Sequence, residues 1–277
     1  MTATFSSLLP MTFIGGGNMA QALISGWLKQ GIPASQIHVV ELAAATREHL
    51  TRHFNVTCHE QASSVLNASR MVVWAIKPQV FKQVALSLNG MFPQALHLSV
   101  AAGVRSDSIG RWLDTPHVVR AMPNTPALVG MGQTGLYAGP AVNSAQREHV
   151  QSLMQAVGQS IWVEREELLD AVTALSGSGP AYVFYFIEAM TKAGIGMGLT
   201  PEQAHQLAVG TFTGAAELAR SSSEAPEVLR ERVTSKGGTT FAAITSMQDH
   251  QIERLIAQAI QAARQRSIEM GQVFDQE

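Results

Sequence analysis

The stretch Phe13-Ile14-Gly15-Gly16-Gly17-Asn18-Met19-Ala20 constrains this chain more than any other. A short apolar run precedes it, and an apolar-periodic segment, Gln21 to Lys29, follows. That order reads as strand, tight turn and helix. Gly15 lets the chain turn sharply, Gly17 lets the backbone approach a pyrophosphate with no Cβ in the way, and Ala20 lets helix and strand pack closely. The helix start then offers free N–H groups and the positive end of its dipole to phosphates. Taken alone, the pattern fits any βα turn. Its setting between strand and helix points to a dinucleotide.

The following residues supply a sheet for that turn. Met11 to Ile14 reads as the first strand, Asn18 to Gln30 as a helix closed by Gly31, and Gln36 to Glu41 as the second strand. Glu41 falls where a dinucleotide fold places its ribose-reading acidic residue. The competing reading is a strand-end charge facing water. A ribose contact would favour NADH over a cofactor with a 2′-phosphate, while Arg47 lies close enough in sequence to counter it, so the preference stays open. Met71 to Ile76 is uninterrupted and apolar, as expected of a central parallel strand, and Lys77-Pro78 ends it. A helix near Gln79 to Leu88, a strand Ala95 to Val100, the small-residue turn Ala101-Ala102-Gly103 and a helix Ser106 to Leu113 follow. The strand Val118 to Ala121 runs into Met122-Pro123-Asn124-Thr125-Pro126, expected to be a rigid, non-helical loop. These breaks at strand ends, alternating with helices, form the pattern of a doubly wound, mainly parallel sheet. Thr134 to Ala138, a helix capped by Asn143 with Gln146 three residues on, and Ser160 to Val163 complete it.

From Glu164 onward only helical periodicity is visible, which sets a boundary between residues 11–163 and an all-α part, 164–277. Pro180 suits a first helical position in Ser176-Gly177-Ser178-Gly179-Pro180. The helix it starts, to about Lys192, is apolar nearly all round and is expected to be buried on all sides, between subunits. Thr200-Pro201-Glu202-Gln203 is a capping box opening a helix to Ser221, and another helix covers Pro226 to Val233. Thr234-Ser235-Lys236-Gly237-Gly238-Thr239-Thr240 then brings hydroxyls, glycines and a lysine just before a helix, Phe241 to Met247. Such a loop suits an anion. A capped helix with a flexible lead-in is the plainer alternative. Asp249 to Gly271 closes the chain with an apolar stripe suited to a core or a dimer seam.

Other classes of function find little support. The formal net charge is −2, which gives no electrostatic case for nucleic acid or an anionic membrane. No run approaches the ~18 apolar residues of a membrane span. Residues 1–10 carry no basic residue or long apolar run, so they do not read as a secretory signal; a disordered tail and a cytoplasmic protein are expected. The single cysteine, Cys58, excludes an internal disulfide. His49 and His53, followed by Cys58 and His59, fit a solvated helix face better than a metal site, and no metal is expected. Ser178 lacks the outer glycines of a nucleophile elbow.

Read together, these strings resemble the pyrroline-5-carboxylate reductase family. Phe13 to Ala20, Ala75-Ile76-Lys77-Pro78-Gln79, Ser99 to Gly103, Val119 to Pro126, Leu175 to Tyr182 and Thr234 to Thr240 occur in order, covering nearly everything from Met11 onward. The resemblance implies an α/β Rossmann domain binding NADP or NAD, then an all-α dimerisation domain. It also implies a homodimer or a larger assembly of dimers, acting on a small molecule. The implied reaction is hydride transfer to the C=N carbon of 1-pyrroline-5-carboxylate, giving L-proline. It assigns the pyrophosphate turn to Gly15, Gly16, Gly17, Asn18 and Met19, and further cofactor contacts to Ala75, Lys77, Pro78 and Ala101. It assigns the substrate carboxylate to Ser235, Gly237, Gly238 and Thr239, and a hydroxyl at the imine nitrogen to Thr240. Two departures stand out. Glu41-Leu42 occupies positions where many relatives read a 2′-phosphate, and Gln61-Ala62-Ser63 replaces a common asparagine. The competing readings are another imine or 3-hydroxyacid reductase on this architecture, and a non-catalytic dinucleotide sensor.

Overall fold

The computed structural model describes residues 5–276, which divide into two compact units. The first runs to Ser178 and regains the chain from Ala263 onward; the second comprises Gly179–Ala262.

The first unit is built on one eight-stranded sheet, ordered β3-β2-β1-β4-β5-β6-β7-β8. Its strands are β1 (Met11–Ile14), β2 (Ile37–Val40), β3 (Thr57–His59), β4 (Met71–Trp74), β5 (Leu96–Ser99), β6 (Val118–Met122), β7 (Gly132–Ala138) and β8 (Gly158–Trp162). Strands β1 to β6 pair in parallel, β7 runs antiparallel to β6, and β8 is parallel to β7. Every residue of β1, β4 and β5 is buried, because helices cover both faces of a parallel sheet. On one face α1 (Asn18–Lys29), α2 (Ala44–Phe54) and α5 (Ser144–Gln155) bury Leu23, Trp27, Leu50 and Leu153 against Phe13. On the other, α3 (Pro78–Ser87) and α4 (Ser106–Leu113) bury Phe81, Ile109 and Trp112 against Trp74. The two fully buried tryptophans have partners for their N–H groups: Trp27 Nε1 donates to Leu153 O at 2.9 Å, and Trp74 Nε1 to His97 Nδ1 at 3.1 Å.

The chain leaves β1 toward β2 and β3, then returns to β4 on β1's other side. The order of strands therefore reverses between β1 and β4, which is where open α/β sheets bind their ligands.

Three expectations are corrected, and one strand is added. Residues 5–10 are ordered: Ser6–Leu8 form a 3₁₀ turn, and Phe5 and Leu8 are buried in the core cluster that holds Phe13 and Trp27, which offsets the entropy of fixing the segment. Residues 1–4 of that expected tail lie outside the described residues. The edge strand β3 escaped the sequence reading altogether. Thr125–Val129 is a 3₁₀ turn with Pro126 near its start, not a non-helical loop. The division between units falls after Ser178 rather than before Glu164, because α6 (Leu168–Val172) is anchored to the sheet unit. Glu166 takes Arg120 Nη1 at 2.8 Å and the Ser106 hydroxyl at 2.7 Å. Asp170 takes Arg105 Nη2 at 2.9 Å and the hydroxyl of Ser267, from the last helix, at 2.7 Å. Burial pulls the Arg120 pKa down, and the adjacent Glu166 carboxylate opposes that pull.

The second unit contains α7 (Gly179–Gly196), α8 (Pro201–Ser221), α9 (Pro226–Arg232), α10 (Thr239–Asp249) and the start of α11 (Ile252–Gln276). Thr200 and Gln203 close the expected capping box on α8. Gly194 lets α7 approach α8: a Cβ there would lie 2.9 Å from that of Ala204. Within the chain this unit fully buries only Gly194, Ala204 and Ala208. Helix α7 is therefore not buried on all sides in one chain, and Phe184 and Tyr185 are 65% and 70% exposed.

Candidate active site

The parallel register sets the rim on which the cofactor-side residues lie. Ile14 stands opposite both Val40 and Trp74, and Trp74 opposite Ser99, so β1, β2, β4 and β5 end at one level. The ladder carries one step beyond the strands: Gly15 N–H donates to Val40 O and Ala75 N–H to Ile14 O, each at 2.8 Å, and Val100 N–H to Trp74 O at 3.0 Å. Gly15, Glu41, Ala75, Lys77, Pro78 and Ala101 thus follow the carboxyl ends of adjacent strands. Lys77 is exposed and caps α3, whose first residue is Pro78; Ala101 is buried.

Two glycines of the turn serve different ends. Gly15 has φ +94°, and a Cβ on it would meet Ala75 O at 2.6 Å. It is required by the fold. Gly17 has nothing within 4 Å of where its Cβ would be. No packing explains its lack of a side chain, whereas an approaching ligand would use that open space. Gly17 also caps α1 without a side-chain hydrogen bond, leaving the first N–H groups, around Asn18 and Met19, without an intrahelical acceptor. This cradle fits a dinucleotide pyrophosphate.

Glu41 does not simply face water. Its Oε2 accepts Gly16 N–H and its Oε1 accepts Ala43 N–H, both at 2.9 Å. The carboxylate therefore ties the end of β2 to the glycine turn. Arg47 is engaged on its own side of that turn: Nη1 donates to Glu41 O at 2.9 Å and Leu42 O at 2.6 Å, and Nη2 to Glu60 Oε2 at 3.1 Å.

One polar clasp near this rim was not singled out from the sequence. Buried Asn124, just past β6, accepts Gln133 N–H on Oδ1 at 2.9 Å and donates to Ser176 O at 3.1 Å. It holds the Met122–Pro126 segment to β7 and to the turn before α7. The flanking prolines marked the segment as rigid, but its partners lie 9 and 52 residues away.

In the second unit, α10 starts at Thr239, two residues before the sequence expectation, so Thr239 and Thr240 occupy its first turn. Gly238 is the cap, Gly237 turns the chain with φ +76°, and Gly238 N–H donates to Ser235 O at 3.0 Å. Ser235, Gly237 and Thr239 are exposed, and Thr240 is half-buried. The Thr234 hydroxyl is occupied by Arg230 O at 2.6 Å and plays no part in the cluster. What remains is a serine hydroxyl, two threonine hydroxyls and helix-start N–H groups around one tight turn, a donor set suited to a carboxylate.

Comparison with known proteins decides the family. Over 96% of the chain and 98% of the relative, the sequence is 44% identical to pyrroline-5-carboxylate reductase of Pseudomonas aeruginosa. The chain belongs to the pyrroline-5-carboxylate reductase family. The enzyme of that name from Pasteurella multocida is 41% identical over 95% of the chain and 98% of its own length. The family model for pyrroline-5-carboxylate reductase dimerisation matches residues 166–270, and one for coenzyme F420-dependent NADP oxidoreductase matches residues 10–103. A solved pyrroline-5-carboxylate reductase from Coxiella burnetii superimposes with a TM-score of 0.88 at 36% identity, covering 95% of this chain and 98% of that one. The Plasmodium falciparum pyrroline carboxylate reductase with NADP bound gives 0.85 at 25% identity over 94% and 97%. Members of this family are NAD(P)-dependent oxidoreductases, and the dimerisation model makes this chain part of a homo-oligomer. Prephenate dehydrogenase of Aquifex aeolicus, at 12% identity and a TM-score of 0.54, shares the fold alone. Among the described residues no helix is long and apolar enough to cross a membrane.

Proposed function

We propose that this chain reduces 1-pyrroline-5-carboxylate to L-proline with NADH or NADPH, as a cytoplasmic homodimer or an assembly of such dimers. The near-full-length match to named reductases carries this reading. The two donor sets give it a chemical form. The glycine turn, with Gly15, Gly16, Gly17, Asn18 and Met19, holds the pyrophosphate, and Ala75, Lys77, Pro78 and Ala101 line the rest of the rim. When bound, the reduced nicotinamide supplies the hydride. Ser235, Gly237, Gly238 and Thr239 form the turn that holds the substrate carboxylate, with the Ser235 hydroxyl and the free helix-start N–H groups as donors. The Thr240 hydroxyl hydrogen-bonds the ring nitrogen, its oxygen accepting the N–H once that nitrogen is protonated.

An imine carbon is most electrophilic when its nitrogen is protonated. A threonine hydroxyl is too weak an acid to supply that proton efficiently. Thr240 therefore orients the nitrogen and stabilises the charge on it, and most of the acceleration comes from fixing the ring in position. The test is steady cofactor oxidation on adding pyrroline-5-carboxylate to folded protein. Absence of turnover with both NADH and NADPH, in protein that binds either one, would refute the reading.

A further inference from the structure

We infer that Glu41 makes this chain selective for NADH over NADPH. The inference rests on the cofactor site proposed above and adds which of two cofactors that site accepts. Three observations carry it. First, Glu41 is fixed in place: both carboxylate oxygens accept backbone N–H groups, one from Gly16 in the glycine turn and one from Ala43. Its position just past β2, bridged to the turn, is that from which an acidic side chain takes a ribose 2′-hydroxyl. A carboxylate accepts hydrogen bonds and donates none, so it suits a hydroxyl and repels a phosphate.

Second, the cation in this turn is already engaged. Arg47, the one basic residue between Glu41 and Glu48, spends its guanidinium on the carbonyls of Glu41 and Leu42 and on Glu60. These bonds tie the β2–α2 turn to the first turns of α2 and to Glu60. A 2′-phosphate would have to compete with these bonds for the guanidinium. Third, the residues after Glu41 replace no lost donor. Leu42 is 78% exposed, and Ala43, Ala44 and Ala45 follow it. Their side chains offer a phosphate neither charge nor hydrogen bond.

The experiment is titration of the full-length protein with NADH and with NADPH in the absence of substrate, followed by calorimetry. NADH should bind at least about tenfold more tightly, the range expected when one ligand brings a like charge against a fixed carboxylate. Glu41→Ser should move the ratio toward NADPH, and Glu41→Gln, which keeps the shape and removes the charge, should move it the same way. The change should fall on the cofactor KM more than on kcat. Arg47→Ala should not selectively weaken NADPH.

Equal or tighter binding of NADPH by the wild type would overturn the inference. So would an unchanged ratio in both Glu41 variants, or a selective loss of NADPH binding in Arg47→Ala. Because binding is read without substrate, loss of the reductase reading and loss of this inference are separate outcomes.

Discussion

The two units solve the problem of burial in opposite ways. The sheet unit covers both faces of its strands with its own helices, and Trp27, Trp74, Phe13 and Phe81 are fully buried within one chain. The helical unit covers almost nothing of its own. Its three fully buried residues are a glycine and two alanines, while Phe184, Tyr185, Leu207, Leu218 and Phe241 stay exposed. Exposed apolar surface on that scale is the mark of an interface. One unit is thus a self-sufficient cofactor platform, and the other is complete only in company. The dimerisation family model covers residues 166–270, where the exposed face lies.

The largest test of this contrast is Phe184→Asp. Seating an unpaired carboxylate in an apolar interface costs about 4 kcal/mol, which weakens subunit association about a thousandfold. Sedimentation velocity should show the assembly dissociating while circular dichroism still reports a folded sheet unit. An unchanged assembly would mean that this face meets something other than a second copy.

The next test belongs to the sheet unit. Burial lowers the His97 pKa to about 4, with a smaller contribution from nearby His117. The folded value lies below the unfolded one, so the unfolded chain takes up the proton first. Stability is fully present above the unfolded pKa near 6.5 and falls as pH drops toward 4, by about 3 kcal/mol from this group. Urea midpoints at pH 7 and pH 4.5 should differ accordingly. His97→Asn, which retains an acceptor for Trp74, should shrink that difference. In the helical unit the groups with shifted pKa values, such as Lys192 and Glu217, are exposed and should contribute no such loss.

The units also differed in how far they could be read in advance. The sheet unit announces itself through apolar runs that stop at Gly15, Lys77-Pro78 and Ala101, because parallel strands are buried throughout and break where a ligand binds. Strand β3 escaped notice because Thr57-Cys58-His59 is short, polar and at an edge. The boundary slipped because Glu166 and Asp170 look like surface charges in sequence. Their partners Arg120 and Arg105 are 46 and 65 residues away, and Ser267 is 97 from Asp170. Phe5 and Leu8 lay in a stretch too brief for any period to show. At the site, residue types pointed to Glu41 and to the Thr234–Thr240 loop, but only the geometry revealed that Arg47 is engaged and that the Thr234 hydroxyl donates to Arg230 O.

Thr240→Ala separates the chemistry of the two units. It removes a hydroxyl from the first turn of α10, far in sequence from the glycine turn, and should lower kcat on the order of 100-fold. Cofactor affinity, measured without substrate, should stay the same. A matching loss of cofactor affinity would show that the helical loop is not a substrate element. Retained turnover would remove Thr240 from the reaction.

The smallest effect should come from Gly17→Ala, and its value lies in what stays constant. Gly15 and Gly17 share one turn but answer to different constraints. A Cβ on Gly15 would strike Ala75 O at 2.6 Å from a backbone at φ +94°, so any change there damages the fold along with the site. Gly17 has φ −69°, which any residue adopts, and open space around it. Alanine at this cap should alter stability by less than about 1 kcal/mol. Yet its methyl group enters the space through which a pyrophosphate reaches the α1 N–H groups, and affinity for NADH and NADPH alike should fall about tenfold. A variant that melts as the wild type does but binds both cofactors more weakly would show that the ligand, rather than packing, requires this glycine. Unchanged binding would move the pyrophosphate off this turn and leave Gly15 as a purely structural residue.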